Sequence, residues 1–151
     1  MSEHEHPMPG QQLGVVREWN RDSQHEFAQR VEYSFELDDS NVILSRVVPT
    51  LANLEGPVSQ HKTLVDIDMP VKLIESSTPG HFHLYIDKAI AWEDYRLLLI
   101  VLERCGIIST GYLDAALTRG YTTLRLPWVK KGDPAPPRKS LTERLSDYLG
   151  F

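Results

Sequence analysis

At 151 residues the chain can bury one core of ordinary domain size, and 41% hydrophobic with 25% charged residues is the balance of a soluble globular protein. A net charge of -5 argues against a protein that coats nucleic acid by charge alone. A single cysteine, Cys105, excludes an internal disulfide framework, and no apolar run approaches the roughly 20 residues that cross a bilayer. The charge is uneven: residues 1–87 hold 14 acids and 6 Lys or Arg, whereas residues 88–151 hold 7 acids and 10 Lys or Arg. The first ten residues lack the basic and apolar regions of a secretory signal, so a cytoplasmic location is expected.

Residues 1–12, rich in charge, Pro and Gly, predict a disordered leader. His4 and His6 within it lack a fixed third ligand. Residues 13–19 predict a first strand and residues 20–29 a polar connection or short helix. Val31, Tyr33, Phe35 and Leu37 then alternate with Glu32, Ser34, Glu36 and Asp38, the period of a half-buried strand. Asp39, Ser40 and Asn41 supply a turn into a strand over residues 42–48, so the two runs predict a hairpin. Pro49 ends it, and residues 50–62 read as a loop or short helical piece broken at Gly56 and Pro57.

Residues 64–87 predict the centre of the fold, as three strands. In the first, over residues 64–69, Asp66 and Asp68 share a face with Leu64 while Val65, Ile67 and Met69 take the other. The second runs over residues 71–75. After a polar turn through residues 76–80, the third puts Phe82, Leu84 and Ile86 on an apolar side against His81, His83, Tyr85 and Asp87. If the apolar sides share a layer, the acids and histidines emerge together on the open face. Gly80 suits a positive φ or a close approach of backbone to a ligand such as phosphate.

From residue 91 to 105 the period becomes helical, with Trp92, Tyr95, Leu98, Leu99 and Leu102 recurring on one side. This helix is expected to cover the apolar sheet face and stop at Gly106. A shorter helix over residues 111–118 is closed by Gly120. Residues 121–126 predict a strand with Leu124 and Leu126 inward, so that Arg125 emerges beside the carboxylates. Residues 130–139 form a basic, Pro-rich exposed linker. Ser140 and Glu143 then make a capping-box pattern for a helix whose apolar edge needs a surface to dock on. The layout is thus a leader over 1–12, one domain over 13–129, a linker over 130–139 and a docking helix over 140–151.

Two acids one residue apart can share Mg²⁺ or Mn²⁺, because hard ions prefer oxygen ligands and phosphate substrates complete their shells. His83 can contact a triphosphate or act in proton transfer. Asp114 is a further acid, and Arg125, Lys130 and Lys131 supply positive charge.

The order Asp66-x-Asp68, then residues 74–85 with Ser76, Ser77, Pro79, Gly80 and His83, a helix, Asp114, and finally residues 123–128 around Arg125, Leu126 and Pro127 resembles the catalytic core of archaeo-eukaryotic-type primases. It is closest to the small primase domains of plasmid and phage replication proteins. Thr78 stands between the serines and Pro79, and Trp128 stands where relatives commonly have glycine. The resemblance implies an α/β (α+β), RRM-like fold with a mainly antiparallel sheet and helices on one face. It also implies metal-dependent nucleotidyl transfer, in which Asp66 and Asp68 hold the ions and His83 and Asp114 join them as catalytic residues. Ser77, Gly80, His83 and Arg125 are the nucleotide-binding candidates. Lys130, Lys131, Arg138 and Lys139 are the candidates for single-stranded DNA or RNA. Two other classes stay open: a metal-dependent phosphodiesterase or nuclease, and a catalytically silent accessory or assembly protein. The latter would bind a protein partner, or a second copy of itself, through its C-terminal helix.

Overall fold

The computed structural model describes residues 4–16, 31–48 and 60–150, which fall into two compact units, one ending at Asp66 and the other beginning at Ile67. Both α-helix and antiparallel sheet are present. The expectations for residues 17–29 and 50–59 lie outside the described residues. Among the described residues no helix is long and apolar enough to cross a membrane.

The first unit holds a three-stranded sheet of β1 (Gln11–Val15), β2 (Glu32–Ser34) and β3 (Val42–Val47), in the order β2-β1-β3. The predicted hairpin between the second and third strands is therefore corrected: each pairs antiparallel with β1 instead. Period-2 alternation tells which way side chains point and is silent about which strand lies alongside. What selects β1 as the centre is Gly14. A Cβ there would lie 2.6 Å from Val31 Cγ1, 2.9 Å from Leu44 Cδ1 and 3.0 Å from the Glu32 carbonyl, so only a glycine lets both neighbours close in. Gln11 and Gln12, which the sequence places in the leader, belong to β1, and Gln11 is buried with its Nε2 donating to the Leu44 carbonyl at 2.6 Å.

Past β1 the Asn41 side chain completes the pairing. It accepts from the Val16 N–H and donates to the Val16 carbonyl, each at 2.8 Å, doing for Val16 what a neighbouring strand would do. The second strand is shorter than its alternation predicts. Leu37–Asp39 turns into a 3-10 helix, closed by Ser40 Oγ donating to the Glu36 carbonyl at 2.7 Å, and Phe35 is left 94% exposed.

The second unit begins with a hairpin of β4 (Val71–Glu75) and β5 (Phe82–Ile86), paired from Val71 with Ile86 to Glu75 with Phe82. The predicted three-stranded centre is corrected to these two strands. Residues 62–67 are irregular and Asp68 and Met69 form a bend. Pro70 follows, with no N–H to give to a ladder. The burial expected for the hairpin is also reversed: Phe82, Leu84 and Ile86 are exposed, while Ile74, His83 and Tyr85 are half-buried.

Helix α1 (Trp92–Arg104) starts with Glu93 and Asp94 in its first turn, where the helix dipole favours acids, and stops as Gly106 takes φ 73°. Helix α2 (Thr110–Arg119) is capped by Ser109, whose side chain accepts from the Tyr112 N–H at 3.2 Å, and ends at Gly120 with φ 82°. The two pack through Leu99, Leu113 and Ala116, with Trp92, Tyr95, Ile100, Ile108 and Tyr112 around them. Residues 121–126 are irregular, which corrects the predicted strand. Leu124 and Leu126 are exposed and Arg125 is half-buried. Among the described residues no strand runs beside them to hold an extended ladder, and Pro127 closes the run. Helix α3 (Leu141–Leu149) follows the Pro-rich segment and buries none of its residues.

Leu99 is 3% exposed on α1 and Leu97 is 56% exposed. Leu99→Ala is expected to destabilise the second unit by about 2–5 kcal/mol, whereas Leu97→Ala should change it by about 0.5 kcal/mol or less. Amide exchange across α1 and α2 checks the difference.

Candidate nucleotide site

The antiparallel register sorts the second-unit hairpin into two faces, because directly paired residues point the same way. Val71, Leu73, Glu75, Phe82, Leu84 and Ile86 share one. Lys72, Ile74, His83 and Tyr85 share the other, with His83 opposite Ile74 and Tyr85 opposite Lys72. His83 therefore has an aromatic hydroxyl and a lysine on its own face. Lys72 was not singled out from the sequence, although its place between Val71 and Leu73 already put it opposite those apolar residues.

The connecting turn closes with the Ser76 N–H donating to the His81 carbonyl at 2.8 Å and the His81 N–H to the Thr78 carbonyl at 3.1 Å. Ser76 Oγ accepts from the Thr78 N–H at 3.0 Å. Ser77 and Gly80 are exposed, and Gly80, at φ 76°, has open space where a side chain would stand. The turn thus offers backbone to an approaching group at the end of the face that carries His83.

Arg125 is positioned from the helix pair. The Tyr95 hydroxyl on α1 hydrogen-bonds Thr122 Oγ1 at 2.7 Å. Arg119, at the end of α2, donates from Nη2 to Thr123 Oγ1 at 3.4 Å, and its guanidinium lies 5.6 Å from the centre of the Tyr121 ring. Burial pushes the Tyr112 phenol up, with a hydrogen bond to Thr122 pulling the other way, so Tyr112 stays neutral around pH 7. These contacts hold residues 121–123 against the helices. Two residues on, Arg125 Nη1 is shielded from solvent and has no hydrogen-bond partner among the described residues. A guanidinium nitrogen without water or an acceptor is an unfavourable arrangement that an anion would relieve. None of these tyrosine and threonine partners stood out in the sequence. The signal was there in Tyr95 and Tyr112, polar-tipped residues on otherwise apolar helix faces.

The remaining candidates are dispersed. Asp66 and Asp68 are exposed and lie outside any strand, so the expected shared strand face for them is corrected. Asp66 is the last residue of the first unit and Asp68 belongs to the second. Asp114 is exposed on α2, its carbonyl accepting from Thr118 Oγ1 at 2.8 Å. Among the described residues no three of His, Cys, Asp and Glu gather as a metal cage, and no hydrogen bond or ion pair joins His83, Asp114 and Arg125. Lys130 and Lys131 are exposed, and the Lys130 N–H donates to Asp133 Oδ2 at 2.8 Å. Arg138 and Lys139 line an open groove with Pro136, Pro137 and Arg144, in which Lys139 is ion-paired to Asp147. Compared with known proteins, no family model, curated protein or solved structure matches the chain.

The groove is bounded by α3, whose capping box is complete. The Glu143 N–H donates to Ser140 Oγ at 3.2 Å, and the Ser140 N–H donates to Glu143 Oε2 at 2.7 Å. These bonds hold the Glu143 carboxyl below its ordinary value. A lowered folded-state pKa stabilises the helix above the unfolded value and loses that contribution as pH falls through the folded one. Carbon chemical shifts of residues 141–149 are therefore expected to lose helical character as pH drops below the usual glutamate range. Ser140→Ala should show the same loss at neutral pH.

Proposed function

We propose that the chain is a primase-like nucleotidyl transferase of phage or plasmid replication that takes a nucleoside triphosphate together with Mg²⁺ or Mn²⁺. The observation that carries this reading is Arg125 Nη1, a cationic nitrogen out of solvent with no acceptor among the described residues. An anionic phosphate is a chemically matched partner for it. Two features add support. The open turn at Ser77 and Gly80 leaves backbone free to approach, and the face behind it carries His83, Tyr85 and Lys72.

In this reading Arg125 and the turn receive the triphosphate, and His83 donates to it or moves a proton at its imidazole. Asp66 and Asp68 are exposed carboxylates, a donor set that suits a hard divalent ion whose remaining ligands are phosphate oxygens and water. They would hold such an ion as it enters with the nucleotide, where it would offset repulsion between carboxylate and phosphate. Lys130, Lys131, Arg138 and Lys139 would meet the backbone of a single strand. In phosphoryl transfer of this kind the protein's share is alignment and charge neutralisation, so the residues matter by position more than by intrinsic reactivity.

Titration calorimetry with a nucleoside triphosphate is expected to show tighter binding in the presence of Mn²⁺. Arg125→Ala should weaken it about tenfold or more, the worth of a charge-assisted hydrogen bond. Asp66→Asn with Asp68→Asn should erase the metal dependence and, with the repelling carboxylates gone, leave metal-free binding no weaker than before. Equal affinity with and without metal in the unaltered chain would reject the reading. Labelled nucleotide then separates classes, since extension of a strand marks a transferase and release of nucleotide from a strand marks a nuclease.

A further inference from the structure

Among the described residues of the second unit, an apolar hairpin face and an apolar helix edge lie open. On the hairpin, Val71, Leu73, Phe82, Leu84 and Ile86 share one face and are 44%, 67%, 57%, 52% and 44% exposed. On α3, Leu141, Leu145, Tyr148 and Leu149 recur at helical spacing and are 65%, 50%, 88% and 60% exposed. We propose that these surfaces are each other's partners between two copies of the chain, α3 of each copy lying on the β4–β5 face of the other. This is independent of any nucleotide site.

The shapes agree. Just over two turns from Leu141 to Leu149 make a stripe about 12 Å long at 1.5 Å per residue. A five-residue strand spans roughly 14–17 Å, and two strands at about 4.8 Å spacing make a strip as wide as one helix. Helix α1 also leaves Leu97, Leu98 and Val101 exposed, but its centre is spent on α2 through Leu99, Leu113 and Ala116.

The linker argues for exchange rather than closure within one copy. Pro134, Pro136 and Pro137 fix their own φ angles, and both ends of the segment are tied: Asp133 to the Lys130 N–H, Lys139 to Asp147 on α3 itself. The segment turns at residues 130–133, where the Asp133 N–H donates to the Lys130 carbonyl and Gly132 takes φ 92°, and the stretch from Pro134 to Lys139 is then a stiff spacer of roughly 18 Å ahead of α3. Within one copy both surfaces stay exposed, although they belong to the same compact unit.

The area is sufficient. At roughly 150–200 Å² for a large apolar side chain, the two surfaces together expose on the order of 900 Å². A reciprocal pair, closed by two-fold symmetry, would bury on the order of 1,800 Å², the size of a standard specific interface.

Sedimentation equilibrium of the full chain over about a hundredfold range of concentration tests the idea. A two-chain mass is expected. Leu145→Asp with Tyr148→Asp should raise the dissociation constant about a hundredfold or more, and Leu84→Asp on the hairpin should do the same. Circular dichroism checks that each variant keeps its helices. A mixture of the α3 variant and the hairpin variant should form a species with one of each, because one intact helix meets one intact hairpin, though more weakly than the unaltered pair. A single-chain mass throughout, an α3 variant that stays dimeric, or variants that fail to associate on mixing would each overturn the proposal.

Discussion

Ala116 has no exposed surface, and the close approach of α1 to α2 at that methyl is the contact on which the second unit depends. A larger side chain would hold the helices apart, and a displaced α1 would carry the Tyr95 hydroxyl away from Thr122. The segment after α2 has no strand partner among the described residues, so its conformation is borrowed from the helix pair through Thr122, Thr123 and the Tyr121 ring. The charged nitrogen of Arg125 sits at the end of this chain of contacts. A packing requirement of one methyl group thereby reaches a residue that carries chemistry.

The hairpin shows the opposite economy. Its apolar side faces outward and its polar side, with His83 and Tyr85, is partly covered. Burying a histidine and a tyrosine gains less than burying the same area of Leu and Phe, so an isolated chain would not choose this arrangement for stability alone. A contiguous apolar strip on a surface is a feature that soluble proteins tolerate mainly where something sits on it.

Much of the local structure was legible in the sequence. The three helices, the glycine stops of the first two, the capping box of Ser140 and Glu143, and the polar turn at residues 76–80 follow from spacing and cap chemistry that act within a few residues. What could not be read was pairing. The strand character of residues 31–37 and 42–48 is real, but the strand between β2 and β3 comes from the start of the chain, where Gly14 lets both neighbours close in. Asp66 and Asp68 alternate like strand residues, yet a strand exists only where a neighbour answers its hydrogen bonds, and the pattern of one segment carries no information about that neighbour. The same limit applies to Arg125, whose half-buried position reflects contacts from Tyr95 and Arg119 on two different helices. Residue types at the site were therefore visible early, while their grouping was a tertiary matter.

The order β2-β1-β3 has a consequence for how the first unit can assemble. Both flanking strands run antiparallel to β1 and hence parallel to each other, with β1's partners drawn from Glu32 to Val47. No pair of strands adjacent in sequence can zip from a short turn, so every ladder in this sheet must close a long loop before its first hydrogen bond forms. The earliest-made strand is the last to be satisfied: as the chain emerges it waits, both edges open, until the whole of β3 has been synthesised. Remove it, and two strands remain that have never been neighbours.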